Sequence, residues 1–254
     1  MAENKKTTPA GIRQTTDISI SVFFPCYNEQ DNVANTVNKA LPVLDKLGCD
    51  YEVIIVNDGS ADQTGRIADE LAAANPRIKA VHHSKNRGSG AAVQSGIRAS
   101  TKKFIFYTDG DGQFDLSEMP QLLPLMEQCN IVSCYRINRQ DSWVRKFNGW
   151  CWTTLVNFVF HMRIRDVDCA FKLYKREIFD NIQMHSTGAL ISTEILTRAM
   201  RKGYKIVQKG VHHYPRKAGI PTGAKLSVII HAFRELFKLR KRILEDNENA
   251  ASNA

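Results

Sequence analysis

Short apolar segments alternate with segments of helical spacing along the first half of this chain, and this pattern most constrains its fold. Strands are predicted at 18–24, 51–56, 78–82 and 104–108. Helices are predicted at 31–47, between Ser60 and Ala74, and at 88–99. Strands that alternate with helices over short connections form βαβ units, and these build a parallel sheet with right-handed crossovers. We therefore predict an α/β fold with a mostly parallel sheet flanked by helices.

The second half of the chain is less regular, but it continues the pattern. Helices are predicted near 117–127 and at 145–160, 193–201 and 224–244, and strands at 131–134, 171–174 and 204–212, with a loop at 216–223. The last helix has apolar residues at spacings of mainly three to four, against basic ones, and is predicted to be amphipathic. The chain then divides into a disordered polar lead (1–16), a catalytic domain (17–223), a basic amphipathic helix (224–244) and a polar tail (245–254).

Charge is distributed unevenly along the 254 residues, which carry a formal net charge of +9. Thirteen Lys or Arg and a single acid, Glu235, fall between Thr197 and Ile243. A basic segment on a near-neutral body favours a polyanionic partner: a phosphate-bearing ligand, an anionic membrane surface or nucleic acid. The alternative is a basic face in contact with water.

Targeting signals are not evident in the sequence. No apolar run reaches the roughly 18 to 20 residues of a membrane-spanning helix, and Met1 to Arg13 lacks the apolar core of a signal peptide. We expect a cytoplasmic protein. The six cysteines contain no C-x-x-C pair, and we expect them to be reduced.

Three polar clusters follow predicted strands, at 25–29, 57–62 and 109–115. Parallel strands bring their carboxyl ends to one edge of the sheet, and ligands of open α/β sheets bind beyond that edge. We therefore expect the three clusters to converge on that edge, where a ligand would bind.

The acidic cluster after the fourth strand contains Asp109, Gly110 and Asp111. Two carboxylates one residue apart can face one pocket if the glycine lets the backbone bend. Mg²⁺ takes one or two such carboxylates while it binds the phosphates of a substrate. The alternative is a turn in which these acids cap the following helix.

Other phosphate-binding motifs do not match. The chain has no G-x-x-x-x-G-K-[ST] sequence, so a P-loop is excluded. The segment that begins Gly88-Ser-Gly90 lacks a third glycine and does not follow the first strand, so a dinucleotide-binding fingerprint is poorly supported.

Several motifs together resemble family 2 glycosyltransferases, in order and in spacing. They are Phe24-Pro-Cys-Tyr-Asn-Glu29, Val56-Asn-Asp-Gly-Ser60 with Asp62 and Thr64, Asn86-Arg-Gly88, Asp109-Gly-Asp-Gly-Gln113 with Asp115, Asp168-Cys-Ala-Phe-Lys172 and His212-His-Tyr-Pro-Arg216. The resemblance covers roughly Ile18 to Leu244 and is strongest to the dolichyl- or polyprenyl-phosphate mannosyl- and glucosyltransferases. It implies a GT-A fold and an inverting transfer of a hexose from a donor of the GDP-mannose or UDP-glucose type.

The resemblance also implies roles for individual residues. The donor nucleotide would be bound by Pro25, Tyr27, Glu29, Asn86, Gly88, Asp109 and Gly110, with Asp58 reading the base. Mg²⁺ or Mn²⁺ would be bound by Asp109, Asp111 and Gln113. The catalytic set would be Asp111, Asp168 and three arginines that contact acceptor or donor phosphates, namely Arg136, Arg145 and Arg216.

The nature of the acceptor stays open at this point. A polyprenyl or dolichyl phosphate is already an anion and needs no general base, whereas a sugar hydroxyl of a glycan or glycolipid requires one, and Asp168 or Glu194 are candidates. A lipid acceptor would place the enzyme peripherally on the inner face of a membrane, with the helix from Ala224 at the bilayer surface; the alternative is that this helix packs on the catalytic domain. A nucleic-acid-binding protein is the third reading, which the motifs do not support.

Overall fold

The structure is a computed structural model that describes residues 18–139, 143–216 and 226–252, with side chains given for 233–246 of the last range. Some predictions concern residues outside these ranges. They are the polar lead, the loop at 216–223 beyond Arg216, the first two residues of the final helix and the last two of the polar tail.

The predicted alternation of strands and helices is confirmed. The strands are β1 (Ser19–Cys26), β2 (Asp50–Asn57), β3 (Ile78–His82), β4 (Phe104–Thr108), β5 (Ile131–Ile137), β6 (Phe171–Lys175) and β7 (Ile206–His212). The helices are α1 (Val33–Leu47), α2 (Thr64–Ala74), α3 (Ser89–Ala99), α4 (Trp143–Phe160), α5 (Ile178–Asn181), α6 (Ile191–Arg201) and α7 (Leu226–Ser252).

One seven-stranded sheet holds all of these strands, in the order β3-β2-β1-β4-β6-β5-β7. Strands β3, β2, β1 and β4 pair in parallel, and so do β5 and β7. Strand β6 is antiparallel to both of its neighbours, β4 and β5. The sheet is therefore mostly parallel, as expected, with one inverted strand near its middle.

The antiparallel strand β6 determines which strand ends lie at the edge of the sheet where the polar clusters are found. Because β6 runs against β4 and β5, those two strands run in the same direction and end at the same edge. Strands β1, β2, β4, β5 and β7 thus present their carboxyl ends there, and β6 presents its amino end. The predicted convergence of the clusters at 25–29, 57–62 and 109–115 is confirmed, since β2, β1 and β4 are neighbours.

The helix predicted near 117–127 is a 3-10 helix at Leu116–Glu127. It contains Pro120 and Pro124. Proline has no amide hydrogen and its ring clashes with the preceding turn, so prolines four residues apart do not allow a regular α-helix. Asp115 caps its first turn, and its carboxylate accepts a hydrogen bond from the Ser117 amide at 2.9 Å.

The C-terminal helix α7 packs on the catalytic domain. It buries Leu236, Leu239 and Ile243 in the main hydrophobic core and leaves Phe237 and Leu244 exposed. The helix also extends to Ser252, beyond the predicted end at Leu244. Among the described helices, none has both the length and the hydropathy of a membrane span.

Candidate active site

The acidic pair lies at the end of β4, where the sequence pattern placed it. Asp109 follows Thr108 directly, and Gly110 separates it from Asp111. Gly110 fits against β1 so closely that a Cβ atom would collide with the Cys26 thiol. Its carbonyl accepts a hydrogen bond from the Thr36 hydroxyl at 3.1 Å. The turn between the two acids is therefore fixed by contacts with β1 and α1.

Burial and mutual repulsion make the acidic pair difficult to ionise. Burial, and then the negative charge of Asp111, raise the pKa of Asp109 to about 7, although Arg136 and Lys172 oppose this shift. Burial also raises the pKa of Asp111, against the opposing effects of the Gln113 amide and of Arg216. Two crowded carboxylates in a buried site favour a bound cation, because a cation stabilises their ionised forms.

The acids open into a cavity of about 200 Å³. Among the residues that line it are seven that the sequence analysis singled out: Asp109, Asp111, Gln113, Arg136, Arg145, Asp168 and Arg216. They come from the loop after β4, from β5 and α4, from the loop that leads into β6, and from the segment after β7. The structure thus brings together residues that are more than 100 positions apart in the chain.

Carboxylates hold Arg136 and Arg216 in place. Arg136, near the end of β5, donates two hydrogen bonds to Asp166, from Nε at 2.7 Å and from Nη2 at 2.8 Å. Arg216 forms an ion pair with Glu29, which follows β1. Such pairs fix the planar guanidinium group, so its orientation toward a phosphate is set in advance.

Two hydrogen bonds between Gln113 and Tyr214 tie the segment after β7 to the acidic loop. The Gln113 side chain donates to the Tyr214 carbonyl at 2.8 Å, and the Tyr214 amide donates to the Gln113 carbonyl at 2.8 Å. Phe114 and His213 form an isolated antiparallel bridge beside them. This explains how Arg216 comes to face the same cavity as Asp111.

Asp168 reaches the cavity from the loop that leads into β6. The fully buried ammonium of Lys172 donates to the Cys169 carbonyl and, at 3.2 Å, to the Val167 carbonyl. It thereby fixes the backbone on both sides of Asp168. Burial, and then the charge of Asp166, raise the pKa of Asp168.

Apart from Asp109 and Gly110, the residues assigned to the nucleotide follow or end β1, β2 and β3, and they are not part of the cavity lining. Tyr27 is exposed, and Pro25, at the same strand end, is half-buried. Asn86 and Gly88 precede α3. Gly88 has a φ of 96°, in the region that favours glycine, and a Cβ atom there would also strike the Thr187 carbonyl.

Asp58 is buried beneath this part of the site. Its carboxylate accepts hydrogen bonds from the Arg87 and Gly88 amides, each at 2.9 Å, and contacts His83 Nδ1 at 2.6 Å. These contacts support the loop before α3. Whether Asp58 also reads the base stays a prediction.

Glu194, the other candidate for a general base, lies away from the cavity, so this part of the sequence analysis was wrong. It is completely buried in α6, where it accepts hydrogen bonds from the His185 and Ser186 amides at 3.0 and 2.7 Å and from Arg198 at 2.9 Å. It is not part of the cavity lining and supports the 185–188 loop. A polar residue in a helical pattern gives no sign of which way it faces, so the sequence could not separate it from Asp168.

Three residues that matter for the site had no assigned role in the sequence analysis. His213 lines the cavity, Asp166 fixes Arg136, and Lys172 fixes the loop of Asp168. His213 and Lys172 are part of motifs that the sequence analysis recognised, and this position was the signal that could have identified them. Asp166 lies outside every motif, and its importance depends on the pairing of β5 with β6.

Comparison with known proteins gives a consistent picture of the fold. The glucosyl-3-phosphoglycerate synthase of Mycobacterium tuberculosis, solved with Mn²⁺, UDP-glucose and phosphoglyceric acid, matches with a TM-score of 0.68 and 16% identity, over 88% of this chain and 80% of that one. The mannosyl-3-phosphoglycerate synthase of Rubrobacter xylanophilus matches with a TM-score of 0.67 and 14% identity, over 91% and 75%. At these identities the likeness concerns the fold.

The family is established by sequence. The model of the family described as "Glycosyl transferase family 2" matches residues 21–183, which include most of β1, all of β2 to β6, the acidic pair and Asp168. This match is more than half of the chain, and it favours an enzyme over a nucleic-acid-binding protein. The chain therefore belongs to glycosyl transferase family 2.

Proposed function

We propose that this enzyme transfers a hexose, with inversion, from a nucleotide-diphosphate sugar of the GDP-mannose or UDP-glucose type to a polyprenyl or dolichyl phosphate. The observation that carries the proposal is the composition of one cavity, in which two crowded carboxylates face three arginines. The carboxylates suit a metal-bound diphosphate, and the arginines suit a second phosphate. A site for two anionic groups is what such a transfer requires.

The donor side of the cavity fits a divalent cation. Asp109, Asp111 and Gln113 offer the oxygen ligands that Mg²⁺ and Mn²⁺ prefer, and they line one wall. Burial and the charge of Asp111 raise the pKa of Asp109, and a bound cation would offset both effects by stabilising the ionised carboxylates. When bound, such a cation would neutralise the negative charge that develops on the departing nucleoside diphosphate. The Mn²⁺ in the M. tuberculosis structure supports this assignment.

On the acceptor side, a phosphate needs positioning and no proton removal. Arg136 is locked by Asp166, while Arg145 extends from α4 and Arg216 from the segment after β7. A phosphate held by these groups would attack the anomeric carbon from the side opposite the diphosphate, which gives inversion. Asp168 would then orient the sugar or the arginines; with a hydroxyl acceptor it would serve as the general base.

A small phosphorylated molecule is the second candidate acceptor. Two structural neighbours are named for products made from 3-phosphoglycerate, and one of them is described with phosphoglyceric acid. The three arginines would bind such a phosphate equally well. Supporting the lipid instead is the exposed apolar surface of α4, the helix that also carries Arg145. The enzyme would then act as a peripheral protein at a membrane surface.

The proposal is tested by a donor and acceptor screen. The protein is incubated with Mn²⁺ and a panel of UDP- and GDP-sugars, together with a short-chain polyprenyl phosphate, 3-phosphoglycerate or an oligosaccharide, and products are read by mass spectrometry. We expect a sugar phosphate diester on the prenyl acceptor. Sugar found on 3-phosphoglycerate or on a hydroxyl, and never on the prenyl phosphate, would refute the lipid assignment.

Replacement of Asp111 tests the metal assignment. Asp111→Asn removes one ionised ligand and should reduce kcat at least about 100-fold, a loss on the scale of a few kcal/mol of transition-state stabilisation. Asp115→Asn is the matched control, because asparagine also caps a helix and Asp115 is not in the cavity lining. Full activity of Asp111→Asn would refute the role of this carboxylate.

A further inference from the structure

Helix α4 exposes an unusual number of large apolar side chains. The exposed fractions are 75% for Trp143, 47% for Phe147, 64% for Trp150 and 78% for Phe158. A helix on the surface of a soluble protein normally turns its apolar face to the core. An exposed apolar patch of this kind indicates an interaction surface.

These four residues form one strip. At about 100° per residue they lie within an arc of about 80° on the helix, whereas the buried Thr153, Val156 and Phe160 lie on the other side. The rings of Trp143 and Phe147 are stacked, with centroids 5.4 Å apart, and the centroids of Phe147 and Trp150 are 6.0 Å apart. We name Trp143, Phe147, Trp150 and Phe158 the aromatic strip.

Helix α4 is basic, since it contains Arg145 and Lys146 and no acidic residue. Lys146 lies about 40° from Trp150 around the helix, at the edge of the aromatic strip. On the opposite side of α4, Trp152 contacts Phe233 of α7, with ring centroids 5.8 Å apart. Helix α7 in turn exposes further basic side chains, among them Lys238, Arg240 and Lys241. Tryptophan and lysine or arginine together are typical of elements that lie at the boundary between water and an anionic bilayer.

We propose that the aromatic strip of α4 inserts into the headgroup region of an anionic lipid bilayer. This inference deepens the proposed function, because it assigns membrane contact to α4, whereas the sequence analysis assigned it to α7. Arg145 projects about 160° away from Trp143 around the helix and lines the cavity. Helix α4 therefore lies between the bilayer and the cavity, so a lipid phosphate reaches the arginines while its chain stays in the membrane.

The chain provides its own probe for this surface. Its three tryptophans, Trp143, Trp150 and Trp152, are all on α4. Addition of vesicles with about one third phosphatidylglycerol should shift the tryptophan emission to shorter wavelength, and lipids brominated on the acyl chain should quench it. Vesicles of pure phosphatidylcholine should produce a weaker effect, because the basic groups then find no negative charge.

Variants separate α4 from α7. In vesicle co-sedimentation, Trp143→Ser/Phe147→Ser/Trp150→Ser should weaken binding about tenfold or more, since three large rings no longer leave water. The matched control, Phe237→Ser/Leu244→Ser, removes two exposed apolar residues of α7 and should bind almost as well as the wild type. Trp150→Ser alone, with an intermediate loss, serves if the triple variant does not fold.

Several outcomes would overturn the proposal. Wild-type binding by the triple variant, or loss of binding in the α7 variant alone, would exclude the aromatic strip as the contact. A blue shift that depends on protein concentration without lipid, with a doubled mass in solution, would show that a second copy covers the strip.

Measuring transfer to a water-soluble short-chain prenyl phosphate tests the proposed function without a membrane, and so separates it from this inference. The triple variant should retain that activity while it loses vesicle binding. Vesicle binding without any transfer would leave the surface assignment standing and refute the proposed reaction.

Discussion

At the scale of single residues, Asp109 links the charge of the cavity to pH. Its pKa in the folded protein is about 7, against an ordinary value of 3.8, so the folded state holds this proton more tightly than the unfolded chain does. The proton on Asp109 therefore stabilises the folded state; this contribution to the free energy of unfolding is complete below pH 3.8 and is lost as the pH rises through 7. In EDTA, therefore, the melting temperature should fall as the pH is raised from 5 to 8.

The control for this titration is Asp109→Asn, which should show a flatter dependence of melting temperature on pH. Mn²⁺ should stabilise the wild type more at pH 8 than at pH 5, because the cation binds the ionised carboxylate. Parallel curves for the wild type and the variant in EDTA would contradict the assignment.

Lys172 is fully buried, but it acts through its hydrogen bonds and its charge. Lys172→Met leaves the Val167 and Cys169 carbonyls without their donor, at a cost of about 1–3 kcal/mol each, which urea denaturation would measure. It also removes a positive charge that lowers the pKa of Asp109. The pH of half-maximal activity should therefore rise. Lys175→Met, on the same strand and less buried, should shift neither quantity; an equal shift in both variants would refute the role of Lys172.

At the scale of elements, the start of α3 packs directly on the 185–188 loop. The Ala91 amide donates to the Thr187 carbonyl at 3.0 Å, and a Cβ atom on Gly90 would lie 2.5 Å from the Gly188 carbonyl oxygen. Glycine is therefore required here, although alanine is normally favoured inside a helix by about 1 kcal/mol.

Gly90→Ala should destabilise the protein by about 1–3 kcal/mol and raise KM for the nucleotide sugar more than for the acceptor, since α3 follows the predicted nucleotide loop. Gly188→Ala is the matched control, because a Cβ atom there meets nothing within 4 Å. Stability and donor KM would be measured for both. Equal stability and equal donor KM in the two variants would show that the close approach of Gly90 to the 185–188 loop does not matter.

Elements also show what the sequence could and could not predict. The apolar runs predicted β1, β2 and β4 and the acids behind them, because a buried parallel strand leaves a clear signal at its end. Nothing local predicted that β6 would run antiparallel, so the pairing of Arg136 with Asp166 stayed hidden. The aromatic content of α4 predicted a helix, but which of its faces is covered depends on neighbours distant in the chain.

At the scale of the whole molecule, the site is assembled from two parts of one sheet. Strands β1 to β4 carry the acidic pair and the residues predicted to bind the nucleotide, and β5 to β7 bring in Asp168, Arg136 and, just beyond β7, Arg216. The motifs of the first part are short and contiguous, so sequence predicts them well. The arginines are scattered, and their assembly in one cavity depends on the folded sheet.

The inverted strand β6 lies where these two parts meet, paired with β4 on one side and β5 on the other. It separates the halves physically while holding them in register. In the proposed function, the donor is held by residues on the β1 to β4 side of this strand and the acceptor by residues on the β5 to β7 side. A chimera joined at β6 should therefore transfer the sugar to a different acceptor while it keeps its own donor.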